Sequence, residues 1–85
     1  MTDNRPGRFI VFVELVNSHD AVAKMLLAVK QGNLGIESIN IHSTEDGRNL
    51  SAILLLHGEE NKAEWLVNKL LNFPYYRSAK ILKQV

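Results

Sequence analysis

Cysteine does not occur among the 85 residues. Its absence removes disulfide frameworks, thiolate zinc sites and thiol nucleophiles together. No apolar run approaches the roughly 20 residues that a membrane span needs, and residues 1–7 are polar, without the apolar stretch of a secretory signal. The chain is therefore read as cytoplasmic, with no membrane partner. Excess charge is also missing: ten basic residues nearly balance nine acidic ones, for a net charge of +1, and the two signs are mixed along the chain. Nothing marks a nucleic-acid footprint.

Catalytic patterns are lacking as well. There is no GxxxxGK[ST] loop to cradle phosphate and no nucleophile elbow around a serine. His19, His42 and His57 are scattered over a loop and two strand regions without HExxH or other metal-ligand spacing. The pair Glu59-Glu60 precedes a helix, where carboxylates complement the positive end of the dipole. The reading is a protein that is not an enzyme and uses no cofactor or metal.

What the chain does contain is a balanced composition, 46% hydrophobic and 22% charged, which belongs to a folded globular domain. Residues 1–8 are read as a flexible leader and residues 9–85 as a single domain. Residues 9–16 (FIVFVELV) are β-branched and aromatic and predict a first strand. Ser18 is placed to cap a helix whose apolar stripe is Ala21, Val22, Met25, Leu26 and Val29, and Gly32-Asn33 supplies its stop. From Ile36 the period changes to two, with Glu37, Ile39 and Ile41 on one face and Ser38, Asn40 and His42 on the other.

Residues 44–49 form a turn cluster containing Asp46-Gly47, so the strand at residues 50–56 (LSAILLL) makes a hairpin with its predecessor, and Gly58 is expected to break the run. A second helix is predicted over residues 61–73, with Ala63, Leu66, Val67, Leu70 and Leu71 on its stripe and Pro74 at its end. Trp65 and Leu27 fall off the stripes of their helices. Trp65 is read either as a partner contact or as a side chain tucked under the chain. Residues 77–85, with Lys80 and Lys83, predict an edge strand.

The order βαββαβ is that of an α+β, ferredoxin-like domain: an antiparallel four-stranded sheet with both helices on one face and strands one and three in the centre. The RNA-binding version of this fold stacks bases on aromatics of both central strands, and strand three has none. Central strands that are apolar on both faces predict that something covers the open side.

The segment at residues 35–51 (GIESINIHSTEDGRNLS) resembles the ACT domain of acetolactate synthase regulatory subunits, in which an NIESL strand, a TEDP turn and an LSRMT strand follow one another. Gly58-Glu59-Glu60 and the region of Lys69-Leu70 are similar to that family's GDE and QLNKL segments. The resemblance extends over about residues 9–82. It implies a non-catalytic regulatory domain or subunit that modulates an acetolactate synthase-type enzyme of branched-chain amino acid biosynthesis through oligomeric contacts. The alternative is a stand-alone ACT-like small-molecule-binding or oligomerisation module for another partner.

The resemblance also implies a site. The family's effector loop follows strand one with a pattern like N-x-P-G-x-L, which places Asn17 on its Asn, Asp20 on its Gly and Val22 on its Leu. Asn17, Ser18, Asp20, Ala21 and Val22 are thus the expected effector or interface loop, with Ile36, Ser38 and Asn40 as the interface strand; Trp65, from its place off the stripe of the second helix and not from the resemblance, is the candidate partner contact. An Asp where a Gly is usual puts a negative charge beside the place of a ligand carboxylate. The expected partners are a further copy of the chain, in a dimer or larger assembly joined through the edge of strand two, and a large catalytic subunit. Binding of a small amino-acid effector is expected to be weak or absent.

Overall fold

The computed structural model describes residues 6–85. Its elements are β1 (Pro6–Val16), α1 (His19–Gln31), β2 (Gly35–Ser43), β3 (Asn49–Glu59), α2 (Asn61–Leu71) and β4 (Tyr76–Gln84). The four strands form one antiparallel sheet in the order β2-β3-β1-β4, so the predicted order and the central position of β1 and β3 hold.

Alternation along β1 decides which side faces the helices. Phe9, Val11, Val13 and Leu15 are fully buried, while Ile10, Phe12 and Glu14 between them are only partly covered. The register sets Val11 beside Leu54 and Val13 beside Ala52, both buried on the helix side. Ala21, Met25, Ala28 and Val29 of α1 and Ala63, Leu66 and Leu70 of α2 close the core from above. The sequence stripes were too wide at one position on each helix. Leu26 and Leu71 are exposed, and on α1 Ala28 packs inward instead, because a helix lying on a sheet buries a narrow stripe and leaves its flanks to solvent.

Tyr76, the first residue of β4, ties that strand back to α1. Its hydroxyl donates to the Ala21 carbonyl at 2.7 Å inside the core, and burial pushes its phenol up to about 12. A folded-state value above the unfolded one means that this stabilisation is complete below about pH 10 and is lost as the pH rises towards 12. Tyr76→Phe is expected to cost about 1 kcal/mol at neutral pH, because it removes a buried hydrogen bond to the Ala21 carbonyl. It should also abolish the phenolate absorbance that rises near pH 12. An unchanged alkaline titration would contradict the assignment.

Three boundaries differ from the sequence reading. β1 starts at Pro6, so residues 6–8 belong to the sheet and not to a leader; residues 1–5 lie outside the described residues. β3 does not stop at Gly58 but runs to Glu59, because Gly58 pairs with Gly7 and Pro6 with Glu59; ladder hydrogen bonds need only backbone, and two glycines facing one another satisfy them. α2 ends at Leu71, two residues early, with Asn72 as its cap.

The fourth difference concerns β2. Strict alternation put Glu37 with Ile39 and Ile41, but the register against β3 shifts between Ile36 and Ser38. Glu37 is the extra residue of a β-bulge, and its carboxylate turns to the open face while Ile39 and Ile41 pack on the core.

Candidate functional site

The loop between β1 and α1 is built almost entirely from internal hydrogen bonds. Ser18 sits in an extended conformation at the N-cap of α1, and its Oγ accepts from the Ala21 backbone N–H at 3.1 Å. The Asn17 backbone N–H donates to the Arg48 carbonyl at 3.0 Å, and its side-chain amide donates to the Gly47 carbonyl at 3.0 Å. The Ala21 carbonyl is held by Tyr76, and Val22 packs half-buried on the core. Asp20 is exposed in the first turn of α1, where its charge complements the helix dipole.

This loop is docked on the β2–β3 hairpin, whose own turn is tightly pinned. The Thr44 hydroxyl donates to an Asp46 carboxylate oxygen at 2.7 Å, and the Arg48 N–H donates to the same oxygen at 3.1 Å. These two bonds hold the Asp46 carboxyl below its ordinary value. Asn49, paired with Val16 beside the loop, has a buried Oδ1 without a partner among the described residues.

The predicted site residues do not all meet. Ile36, Ser38 and Asn40 are exposed on the edge strand β2. Ile36 lies level with Leu56 and Phe9, at the opposite end of the sheet from Asn17, which follows the Val16–Asn49 pair. Within one chain the loop and the first half of β2 are therefore separate surfaces. The bulge at Glu37 also interrupts the free edge between Ile36 and Ser38, a feature that blunts edge-to-edge pairing.

Trp65 is partly buried and packs against the core. Its ring lies over Gly32, where a Cβ would come within 2.7 Å of Cζ3. The Lys62 and Lys69 ammonium groups stand 5.0 and 5.4 Å from the ring centroid, within cation–π range.

A cluster that sequence reasoning missed lies where β1, β2 and β3 meet on the open face. Arg8 donates to Glu37 through Nε at 3.1 Å and Nη2 at 2.8 Å, and His57 Nδ1 lies 3.3 Å from the same carboxylate. The Arg8 hydrogen bond holds the Glu37 carboxyl below its ordinary range. Gly35 makes this possible, because a Cβ there would overlap the His57 ring. The three side chains line an open cleft of about 320 Å³ with Pro6, Gly7 and Val85. Arg8 was assigned to the leader and Glu37 to the other face, so nothing in the sequence pattern joined them. A second cleft, of about 210 Å³, lies between Gly32, Asn33, Gly58, Glu59 and Lys62. Among the described residues no group of three His, Asp or Glu side chains is placed to hold a metal, and no helix is long and apolar enough to cross a membrane.

No protein-family model matches the sequence, and a search among curated proteins finds no match. Solved structures do match in shape. The ACT domain from the GTP pyrophosphokinase of Chlorobium tepidum aligns with a TM-score of 0.77 at 10% identity, covering 92% of this chain and 100% of that domain. The C-terminal domain of the MgtC protein from Mycobacterium tuberculosis aligns at 0.71 and 16% identity, covering 95% of this chain and 90% of the other. A homoserine dehydrogenase from Thiobacillus denitrificans aligns at 0.72 and 11% identity over 96% of this chain, which corresponds to 17% of the enzyme. The fold is thus ferredoxin-like, as the element order predicted, and ACT-like, as the resemblance implied.

Proposed function

We propose that the chain is a non-catalytic regulatory domain of ACT type that changes the behaviour of a separate enzyme by contact and associates with copies of itself. The observation that carries this reading is the ACT-like fold over nearly the whole described chain. The partner it fits best is an acetolactate synthase-type enzyme of branched-chain amino acid biosynthesis. That choice rests on the sequence resemblance and on where its residues lie: Ile36, Glu37 and Ser38 fall on β2, and Thr44, Glu45 and Asp46 in the turn before β3. The β2 edge beyond its bulge, at Asn40 and Ile41, and the α2 face around Trp65 are the surfaces proposed for the larger catalytic partner. Tagged chain recovered from its native host is expected to carry a large thiamine-diphosphate enzyme, identified by mass spectrometry. Recovery of the chain alone would instead favour a stand-alone module.

Effector binding is expected to be weak. The Asn17 side-chain N–H and the Ser18 Oγ are engaged within the chain, and Asp20 stands exposed at the helix start, where a ligand carboxylate would otherwise meet free backbone N–H groups. Two like charges a few ångströms apart at a surface reduce affinity by about tenfold or more. Calorimetry with valine, leucine and isoleucine should show no micromolar binding to the wild type, and tighter binding to Asp20→Gly. Micromolar affinity of the unaltered chain would refute the charge argument.

A further inference from the structure

We propose that the open face of the sheet is the contact surface for a second copy of this chain, related by a two-fold axis that lies between the two sheets and runs across the strands. The centre of this face is apolar. Ile10 and Phe12 of β1 lie beside Leu55 and Ile53 of β3 in direct register, all four are partly or largely exposed, and Ile53 is 42% exposed. The helices cannot cover them, since both pack on the other side. A contiguous apolar centre with a polar rim is the anatomy of an interface.

The order of residues along the strands selects the occupant. On β1 the open face reads Arg8, Ile10, Phe12, Glu14, and on β3 the partners in register are His57, Leu55, Ile53, Ser51. This order is pseudo-palindromic about the level of Val11 and Leu54. A two-fold axis across the strands at that level maps Ile10 onto Phe12 of the second copy and Leu55 onto Ile53, so that apolar meets apolar. It also maps Arg8 onto Glu14 of the second copy, and Ser38, level with Leu55, onto Asn40, level with Ile53. Both ends then pair opposite charges, and the contact is isologous, as a closed dimer requires.

An axis parallel to the strands does worse. Run between β1 and β3, it would set Arg8 against His57 of the second copy and Glu14 against Ser51, leaving both charges without an opposite partner. The preferred axis opposes Lys80 to Lys83 of the second copy, but only on the outer strand β4, where long side chains reach water; Lys80 already stands 5.7 Å from the Phe12 ring centroid.

Four strands about 4.8 Å apart, over some seven residues of about 3.3 Å rise, give a footprint of roughly 20 by 20 Å. That is the small end of specific interfaces, so the dimer is expected to form in the micromolar range and to dissociate on dilution. It would form whether or not the loop after β1 binds an effector.

Sedimentation equilibrium of the full chain tests this. The wild type should weigh twice 9.6 kDa at high concentration. Ile53→Lys should weaken the dimer by about tenfold or more, with the helix and strand signal in circular dichroism intact, because the residue is exposed in the monomer. Glu14→Arg should weaken it by about tenfold, and adding Arg8→Glu together with Glu37→Arg, which keeps the pair within the chain, should recover most of that loss, since the swapped charges again face each other. Ile36→Lys, exposed on the β2 edge but level with Leu56 on the helix side of the sheet, should have no effect. A wild type that remains monomeric at about 0.5 mM would overturn the proposal. So would a dimer indifferent to Ile53→Lys, a charge-swapped triple variant no better than Glu14→Arg alone, or a dimer dissolved only by Ile36→Lys.

Discussion

Phe9→Ala is expected to cost about 3–5 kcal/mol, a large part of the 5–15 kcal/mol that holds a domain of ordinary stability. Phe9 is fully buried beside Leu56 on the helix side of the sheet, and removing its ring would leave a cavity bounded by rigid strands that cannot close over it. Phe12, three residues on, lies half-covered on the opposite face. In dilute solution Phe12→Ala should cost only about 1 kcal/mol. If the open face joins two copies, that cost should grow with protein concentration, because association stabilises the folded state by mass action. Urea unfolding of both variants, followed at two protein concentrations, measures this. Equal losses for the two phenylalanines in dilute solution would mean that the facing of β1 is wrong.

The second large effect concerns a glycine. Gly58 has a φ of 157°, and a Cβ there would lie 2.7 Å from Cδ2 of Leu34, a buried core residue. Gly58→Ala should cost about 2–4 kcal/mol, combining an unfavourable backbone conformation with overpacking. Gly35→Ala offers the informative contrast. The clash there is with the exposed ring of His57, which can swing away, so stability should fall far less while the His57 contact to Glu37 is lost. Thermal unfolding should rank Gly58→Ala well below Gly35→Ala, and the reverse order would show that His57 is locked and Leu34 is not.

The parts of the fold that follow from periodicity were legible without coordinates. β1 declared its two faces through the alternation of Phe9, Val11, Val13 and Leu15 with Ile10, Phe12 and Glu14. Ser18 announced the start of α1, and Asp46-Gly47 the hairpin. What stayed hidden depended on relations between strands. The bulge at Glu37 is visible only in the offset between β2 and β3, and one inserted residue moves a carboxylate from one face of the sheet to the other. Gly58 read as a breaker because the glycine opposite it on β1 could not be known to pair with it. Asn17 and Ser18 lie between β1 and α1, yet the Asn17 hydrogen bonds to Gly47 and Arg48 come from a turn about 30 residues away, beyond the reach of any local pattern.

The pairing of β1 with β4 carries a mechanical consequence. Phe9 stands beside Gln84, and the Val85 N–H donates to the Arg8 carbonyl at 2.7 Å, so the two ends of the domain emerge side by side. Neighbours fused at either end can leave in the same direction without crossing the sheet, which suits insertion into larger polypeptides. Tension applied between those ends would act along the inter-strand hydrogen bonds and not along the strands. β4 would then peel from β1 one pair at a time, like a zipper opened from its tab, yielding at far lower force than a sheet whose ends are pulled from opposite sides.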